Sequence, residues 1–211
     1  MTRLWVLTAG LALLPSSANA GNPWEDLMGP GKPRIWNDPQ SRFHIDLPLG
    51  WKALPDNPPT AIRFAKTRPN QGLSALVTVE MRGLPPGVNL RHFALQIERE
   101  VKAAAPGYRV LGEDRLRVSA KPALRRHFLY RDQNNAQLYR EVVQLVTVVT
   151  ERAFIITLET AYGTRGAFWE DFEKMVKGFR GRSPSEESLP MPKARRRIKS
   201  GEMINPDAVR Y

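Results

Sequence analysis

The chain has 211 residues, contains no cysteine and carries a formal net charge of +11 at pH 7. The lack of cysteine excludes disulfides, cysteine-ligated metal sites and a lipid anchor attached through a thiol. A charge this positive favours anionic partners, although it also promotes solubility by itself.

The first residues have the order of a secretory signal peptide, predicted over residues 1–20. Arg3 supplies a positive charge, residues 4–14 are apolar, and residues 18–20 (Ala-Asn-Ala) form a small-residue cleavage site. The apolar run is much shorter than the roughly 20 residues that span a bilayer. We predict cleavage after Ala20, export to the periplasm or medium, and a mature charge of +10, because Arg3 is the only charged residue removed. A buried N-terminal helix is the alternative.

The next segment, residues 21–40, is rich in Gly and Pro and is predicted to be an extended lead-in. A strand follows at Ser41–Leu47 and ends at Pro48-Leu49-Gly50-Trp51. Pro48 cannot continue a central ladder, and Gly50 allows the chain to turn. We therefore assign structural roles to Pro48, Gly50 and Trp51, and expect the Trp51 ring to be buried over one end of the core.

Two further strands, Thr60–Lys66 and Leu73–Met81, surround a Pro/Asn/Gly connection and predict a hairpin. A helix is predicted at Leu90–Ala104, where apolar residues recur at helical spacing. Asn89 is the candidate N-cap of this helix. Past the signal, no apolar stretch is long enough to span a membrane.

The second half of the chain predicts four strands and a closing helix. Strands are expected within residues 108–119 and 123–132, and Leu138–Val149 with Ala153–Thr160 predict an antiparallel hairpin. The helix is expected to begin near Thr164, and Gly178 and Gly181 mark its end. The order of elements predicts an α+β domain over residues 41–180, an antiparallel sheet with helices on its faces.

The closing helix carries an apolar stripe, and its two interpretations differ in function. The stripe is predicted to be core, but an apolar pocket forms if the helix does not close tightly on the sheet. The stripe consists of Phe168, Phe172, Met175, Val176 and Phe179.

The residues from 181 to 211 are predicted to form a flexible basic tail. Five of them are the candidate anion- or membrane-surface-binding residues: Lys193, Arg195, Arg196, Arg197 and Lys199. Near an anionic leaflet, each such residue contributes on the order of 1 kcal/mol. A simply solvated charge run is the alternative. A second basic patch, on Arg125, Arg126, Arg131 and Arg140, depends on a strand register that the sequence does not define.

The segment "FHIDLPLGW", the helix after the third strand, a strand containing "RHFLYRD", the long hairpin and the closing helix together resemble the PsbP-like superfamily. The resemblance covers Ser41 to Arg180. The superfamily includes the photosystem II extrinsic P protein, the Ran-binding Mog proteins and bacterial DcrB-like envelope proteins. It implies an antiparallel sheet between helices and no shared activity, and no functional residue is carried over from it.

No catalytic, metal or cofactor site is predicted from the sequence. The three histidines, His44, His92 and His127, lack the spacing of metal ligands, and we interpret each as a surface or edge residue. Neither a nucleophile elbow nor a phosphate-binding loop is present. The sequence leaves open a pair of catalytic carboxylates, as in glycoside hydrolysis, contributed by residues distant in the chain.

Two functional hypotheses follow from these observations. The first is an exported, non-catalytic binding or accessory protein of the cell envelope, with an envelope protein or an anionic lipid or polysaccharide surface as its partner. The second is an envelope enzyme with dispersed active-site residues that acts on an anionic or polymeric substrate. A pocket that gathers His127 or carboxylates with arginine favours the second. Nucleic acid is not an expected partner, because the chain is predicted to be exported and lacks a nucleic-acid-binding motif.

Overall fold

The structure is a computed structural model that describes residues 34–54, 60–68, 72–133 and 135–186. The predicted signal peptide, residues 21–33 of the lead-in and the five basic residues of the tail lie outside these ranges.

The main sheet has seven antiparallel strands in the order β3-β4-β5-β9-β8-β7-β6. Its strands are β3 (Lys52–Ala53), β4 (Ala61–Arg68), β5 (Leu73–Gly83), β6 (Arg109–Val118), β7 (Lys121–Arg131), β8 (Tyr139–Val149) and β9 (Arg152–Ala161). A small antiparallel sheet, ordered β1-β2-β10, contains β1 (Arg34–Asn37), β2 (Phe43–Leu47) and β10 (Arg180–Gly181). The helices are α1 (Leu90–Ala104), α2 (Gly166–Gly178) and a short 3-10 helix (Pro184–Glu186).

The predicted α+β class is confirmed, as are the β4–β5 and β8–β9 hairpins. The N-cap of α1 is also confirmed, because the His92 amide donates to the Asn89 side chain at 3.0 Å. In the part of the chain that the structure describes, neither α1 nor α2 has the length and apolar character required to cross a membrane.

Alternation along the strands produces two cores on opposite faces of the main sheet. The face covered by α2 and the small sheet packs the larger aromatic cluster, with Phe43, Phe154, Phe168, Phe172 and Phe179. The opposite face packs α1 through Phe93, Ile97 and Val101 against Phe128, Val142 and Ile155. The helices therefore lie on both faces of the sheet, as the fold class requires.

The folded part extends beyond the predicted boundaries, 41 and 180, at both ends. β1 lies in the predicted lead-in, and β10 includes the first residue of the predicted tail. Both strands pair with β2, and the Arg182 amide continues the pattern by donating to the Arg42 carbonyl at 2.8 Å. β1 has four residues and β10 has two, which is too short for a periodic pattern in the sequence. These strands are therefore recognised only through their pairing with β2 in the structure.

The corner after β2 explains the residue types at Pro48, Gly50 and Trp51. Gly50 has φ of +83°, a conformation that side chains rarely adopt. The Trp51 amide donates to the Pro48 carbonyl at 3.3 Å and closes the turn. The Trp51 side chain is 2% exposed, which confirms the prediction of its burial.

Trp51 connects this corner to α2. Its indole Nε1 donates to Asp171 Oδ2 at 3.0 Å, and its ring meets Phe168 edge-on with centroids 6.2 Å apart. The Lys66 ammonium donates to the same carboxylate oxygen at 2.7 Å and to the Leu49 carbonyl at 2.8 Å. Burial alone would raise the pKa of Asp171, but the hydrogen bonds from Lys66 and Trp51 outweigh it and lower that pKa.

Candidate functional site

A cleft opens where α2 passes the β6–β7 hairpin, because the helix covers the centre of the sheet and leaves its edge partly open. The cleft has a volume of about 460 Å³, within the range of about 300–1,000 Å³ typical of ligand pockets. We call it the α2 cleft. It is the pocket between closing helix and sheet that the sequence left as an alternative to a fully packed core.

The floor of the α2 cleft is apolar and its rim is mostly basic. The floor consists of Leu116, Val118, Leu145, Trp169, Phe172 and Val176. Charged residues at the rim are Arg117, Arg125, Glu173, Lys177 and Arg180. An apolar floor favours burial of an apolar group, and four cations against one carboxylate favour a negative charge beside it.

Two guanidinium groups lie within cation–π distance of the Trp169 ring. The Arg165 guanidinium carbon is 4.8 Å from the ring centroid, and that of Arg125 is 5.4 Å away. Arg125 also forms two hydrogen bonds to Asp114, of 2.8 and 2.7 Å. Contacts of this type stabilise an exposed aromatic by about 0.5–1 kcal/mol each and restrict its orientation. Trp169 is therefore a preorganised wall of the cleft.

The rim cations differ in how far they are already engaged. Arg180 donates to the Lys177 and Phe179 carbonyls at 2.8 and 2.7 Å and so caps the end of α2. Arg117 donates to the Ala120 carbonyl at 3.2 Å. Within residues 34–54, 60–68, 72–133 and 135–186, neither Arg117 nor Lys177 has a carboxylate within ion-pair distance. Lys177 provides the positive charge that is available to a ligand in the cleft, because the β6–β7 register places the Arg117 side chain on the α1 face.

The turn between β6 and β7 forms one end of the cleft. Ser119 and Ala120 both have positive φ, +52° and +64°, as a type I′ hairpin turn requires. This conformation is costly for residues that carry a Cβ. The Ser119 hydroxyl donates to the Phe179 carbonyl, which connects the turn to the end of α2. The cleft is therefore closed at this end by a strained turn attached to the helix.

A second polar cluster lies beside the cleft, at the start of α2. Glu141 accepts from His127 Nε2 at 2.8 Å, from Arg165 Nε at 2.9 Å and from the Gly163 amide at 3.0 Å. The sequence predicts His127 to be a surface or edge histidine, and Glu141 carries no local signal in the sequence. Strand alternation places both residues on the α2 face of neighbouring strands, but only the β7–β8 register brings them together.

The other candidate residues from the sequence do not converge on a site. His92 is exposed, and His44 is half-buried; burial, assisted by Arg180, lowers the pKa of His44. Arg125 and Arg126 point to opposite faces, and Arg126 is buried against Glu113 and Glu98 at 2.6 and 3.1 Å. The four arginines therefore do not form the second basic patch that the sequence left open. The described ranges hold no cluster of His, Asp and Glu suited to a metal.

On the α1 face, Glu159 is buried and accepts from the Tyr130 hydroxyl at 3.0 Å. Burial raises the pKa of Glu159, and the contacts with Tyr130 and Arg140 oppose that shift only in part. The group lies under the packed face rather than in a cavity, so it affects stability and does not form a binding site.

The seven-stranded antiparallel sheet with one helix on each face is similar to solved structures of PsbP-like proteins. Cyanobacterial PsbP from Synechocystis sp. PCC 6803 superposes with a TM-score of 0.54 and 12% identity, over 80% of this chain and 99% of that one. The Ran-binding protein Mog1p of Saccharomyces cerevisiae superposes with a TM-score of 0.55 and 10% identity, over 73% of this chain and 97% of that one. No family model matches the sequence, and no curated protein does. The chain therefore has the PsbP-like fold expected from its sequence.

Proposed function

We propose that the protein is an exported, non-catalytic binding or accessory protein of the cell envelope, and that the α2 cleft holds part of its partner. The observation that carries the proposal is the combination in one cleft of an apolar floor, an aromatic side chain held by cation–π contacts, and the available cation Lys177. A partner with an apolar group beside a negative charge fits this combination.

The basic tail adds long-range attraction in this proposal. Its five candidate residues, Lys193, Arg195, Arg196, Arg197 and Lys199, raise the local concentration of an acidic protein or an anionic surface near the domain. This attraction is screened over about 8 Å at physiological salt, so it assists encounter while the cleft provides specificity.

The polar cluster beside the cleft supports binding better than catalysis. In the part of the chain that the structure describes, Glu141 is the hydrogen-bond partner of His127, and no side-chain hydroxyl contacts the imidazole. A nucleophile activated by His127 would require such a contact. Glu141 is itself held by three donors, which suits a group that fixes the start of α2.

The fold is compatible with protein binding. Mog1p, which shares the fold, is a Ran-binding protein. Its identity to this chain is 10%, so its partner is not transferred. What supports the proposal from this comparison is that one protein with this arrangement of sheet and helices presents a surface to another protein.

Retention of partners from an envelope extract tests the proposal. The full chain is immobilised and incubated with the envelope extract at low salt. Bound proteins are then cross-linked to it, identified and quantified. We expect Lys177→Glu to reduce retention of the same partners by about tenfold. Lys102→Glu is the matched control, since Lys102 occupies the last turn of α1 as Lys177 does that of α2.

Replacement of the five tail residues by glutamine separates the two contributions. We expect this variant to bind more slowly and with a weaker salt dependence, but to retain the same partners. Retention that is equal for wild type and Lys177→Glu would exclude the α2 cleft as the site.

The enzyme hypothesis is the second candidate, and the His127–Glu141–Arg165 cluster is the observation that favours it. An enzyme of this kind would convert an anionic or polymeric envelope substrate with His127 as the proton-transfer group. Turnover by the wild type that is lost in His127→Ala, with folding retained, would establish this candidate in place of the first.

A further inference from the structure

We infer that β6 accepts an extended acidic segment of a partner protein as an additional strand of the main sheet. The inference rests on the proposed function, because it specifies how a partner reaches the α2 cleft. Three observations carry it: the position of β6 in the sheet, the distribution of charge along the strand, and the continuity of the strand with the cleft floor.

β6 is the long edge of the main sheet. It has ten residues, and all of them are exposed except Leu116 and Val118 near its end. Its inner edge pairs with β7, and within the described ranges no strand pairs with its outer edge. The opposite edge, β3, has only two residues. An exposed strand edge offers a row of backbone donors and acceptors, the groups that peptide-binding domains use to add a strand.

The charges of β6 are neutralised selectively. Asp114 binds Arg125 and Glu113 binds Arg126, both across to β7, at 2.7 and 2.6 Å respectively. Arg115, like Arg117, has no carboxylate within ion-pair distance among the described residues. The carboxylates of the strand are thus occupied by the neighbouring strand, while its arginines remain available to an incoming one.

The register assigns a side-chain pattern to the incoming segment. Arg115 and Arg117 share the α1 face, because they pair with Leu124 and Pro122 on β7. Leu116 and Val118 share the α2 face and line the cleft. An added strand lies about 4.8 Å beyond β6, so its side chains continue both faces. Acidic residues on one face and apolar residues on the other, in strict alternation, fit Arg115 and Arg117 on one side and the cleft floor on the other.

A second copy of this chain does not fit the same edge. In the antiparallel register centred on Leu116, which keeps the cleft-floor residues together, Arg115 of each copy would lie opposite Arg117 of the other, and like charges in cross-strand contact are destabilising. The register shift between Val110 and Gly112 further confines regular pairing to the second half of the strand. The edge therefore discriminates against self-association and favours an acidic partner.

Titration of a labelled synthetic peptide tests the inference. The probe is a capped peptide of about nine residues that alternates Glu with Val and carries one central Phe. Its anisotropy is followed as full-length protein is added. We expect micromolar affinity at low salt and affinity at least about tenfold weaker when every Glu is replaced by Lys.

Backbone N-methylation isolates strand pairing from side-chain contacts. Methylation of alternate amides on the edge-facing side of the probe removes its hydrogen bonds to β6 and keeps every side chain. We expect the methylated peptide to bind with affinity at least about tenfold weaker than that of the unmethylated peptide. In the protein, the double variant Arg115→Glu/Arg117→Glu should weaken the affinity for the unmethylated peptide at least about tenfold. The control variant, Arg91→Glu/Arg99→Glu on the exposed side of α1, should change that affinity less than about twofold.

Each remaining outcome overturns the inference. Equal affinity for the methylated and the unmethylated peptide would show that the peptide docks by side chains alone, with the α2 cleft still in use. Absence of binding by the parent peptide, or a dimer of the free protein that the Arg115/Arg117 variant dissociates, would also contradict it. Loss of partner retention in Lys177→Glu tests the cleft separately, so the two proposals fail by different experiments.

Discussion

Replacement of Trp51 by alanine measures how much the corner after β2 contributes to stability. The indole is 2% exposed, packs against Phe168 and donates to Asp171. Loss of a buried aromatic of this size costs about 3–5 kcal/mol. We expect the free energy of unfolding, from urea titrations followed by circular dichroism, to fall by that amount. Leu49→Ala is the matched control, because Leu49 lies in the same corner and is 59% exposed.

Trp51→Phe separates the hydrogen bond from the packing. Phenylalanine retains most of the apolar burial and removes the donor to the Asp171 carboxylate, which we expect to cost about 1.5–3 kcal/mol at pH 7. The lowered pKa of Asp171 means that its contribution is present above its ordinary value of 3.8 and is lost as pH falls through the lower folded value. The difference in free energy of unfolding between wild type and Trp51→Phe should therefore decrease at acidic pH.

Two results would refute this reasoning. A loss well under 1 kcal/mol in Trp51→Ala would mean that the ring does not occupy a buried position in solution, and the residue would then belong to a candidate binding surface. A difference in free energy of unfolding between wild type and Trp51→Phe that stays constant as pH falls from 7 through the folded pKa of Asp171 would mean that the Asp171 carboxylate is not the partner of Trp51.

The remaining predictions concern three other positions. Gly181→Ala should cost about 1–3 kcal/mol in the same urea assay, because its Cβ would fall 2.5 Å from the buried Phe154 ring; an unchanged midpoint contradicts this close approach. Ala120→Gly should stabilise by about 0.5–1 kcal/mol through relief of the left-handed turn, and a loss of stability would argue against that conformation. Glu159→Gln should gain stability relative to wild type as pH rises from about 4.5 to 7, because burial raises the pKa of Glu159 and ionisation then opposes folding; a difference independent of pH would exclude that shift.

Local signals in the sequence were sufficient to predict much of the fold. Apolar alternation predicts β8 and β9 with a three-residue connection, and the structure pairs them from Arg140 with Ala161 to Val149 with Arg152. Asn89 marks the start of α1 because its side chain accepts a hydrogen bond from the His92 amide in the first turn of the helix. In each case the determining interaction lies within a few residues of the signal.

The site depends on register and on distant pairing, which a single sequence does not define. Arg125 and Arg126 are adjacent in the chain, yet one borders the α2 cleft and the other is buried beneath α1. His127 meets Glu141 only because β7 and β8 pair in one particular register. The cleft itself follows from where α2 ends its contact with the sheet, a property of packing rather than of the helix sequence.

The pairing of β5 with β9 has a consequence for how the chain folds. These two strands form the centre of the main sheet, yet residues 84–151 lie between them in the sequence. The entropy cost of closing so long a loop arises before the β5–β9 contacts that offset it have formed. Topologies of this kind therefore fold slowly. A chain that has emerged only as far as β8 still lacks the strand that joins its two halves. We therefore expect the main sheet to stay open in the nascent protein until β9, which ends at Ala161, has been made.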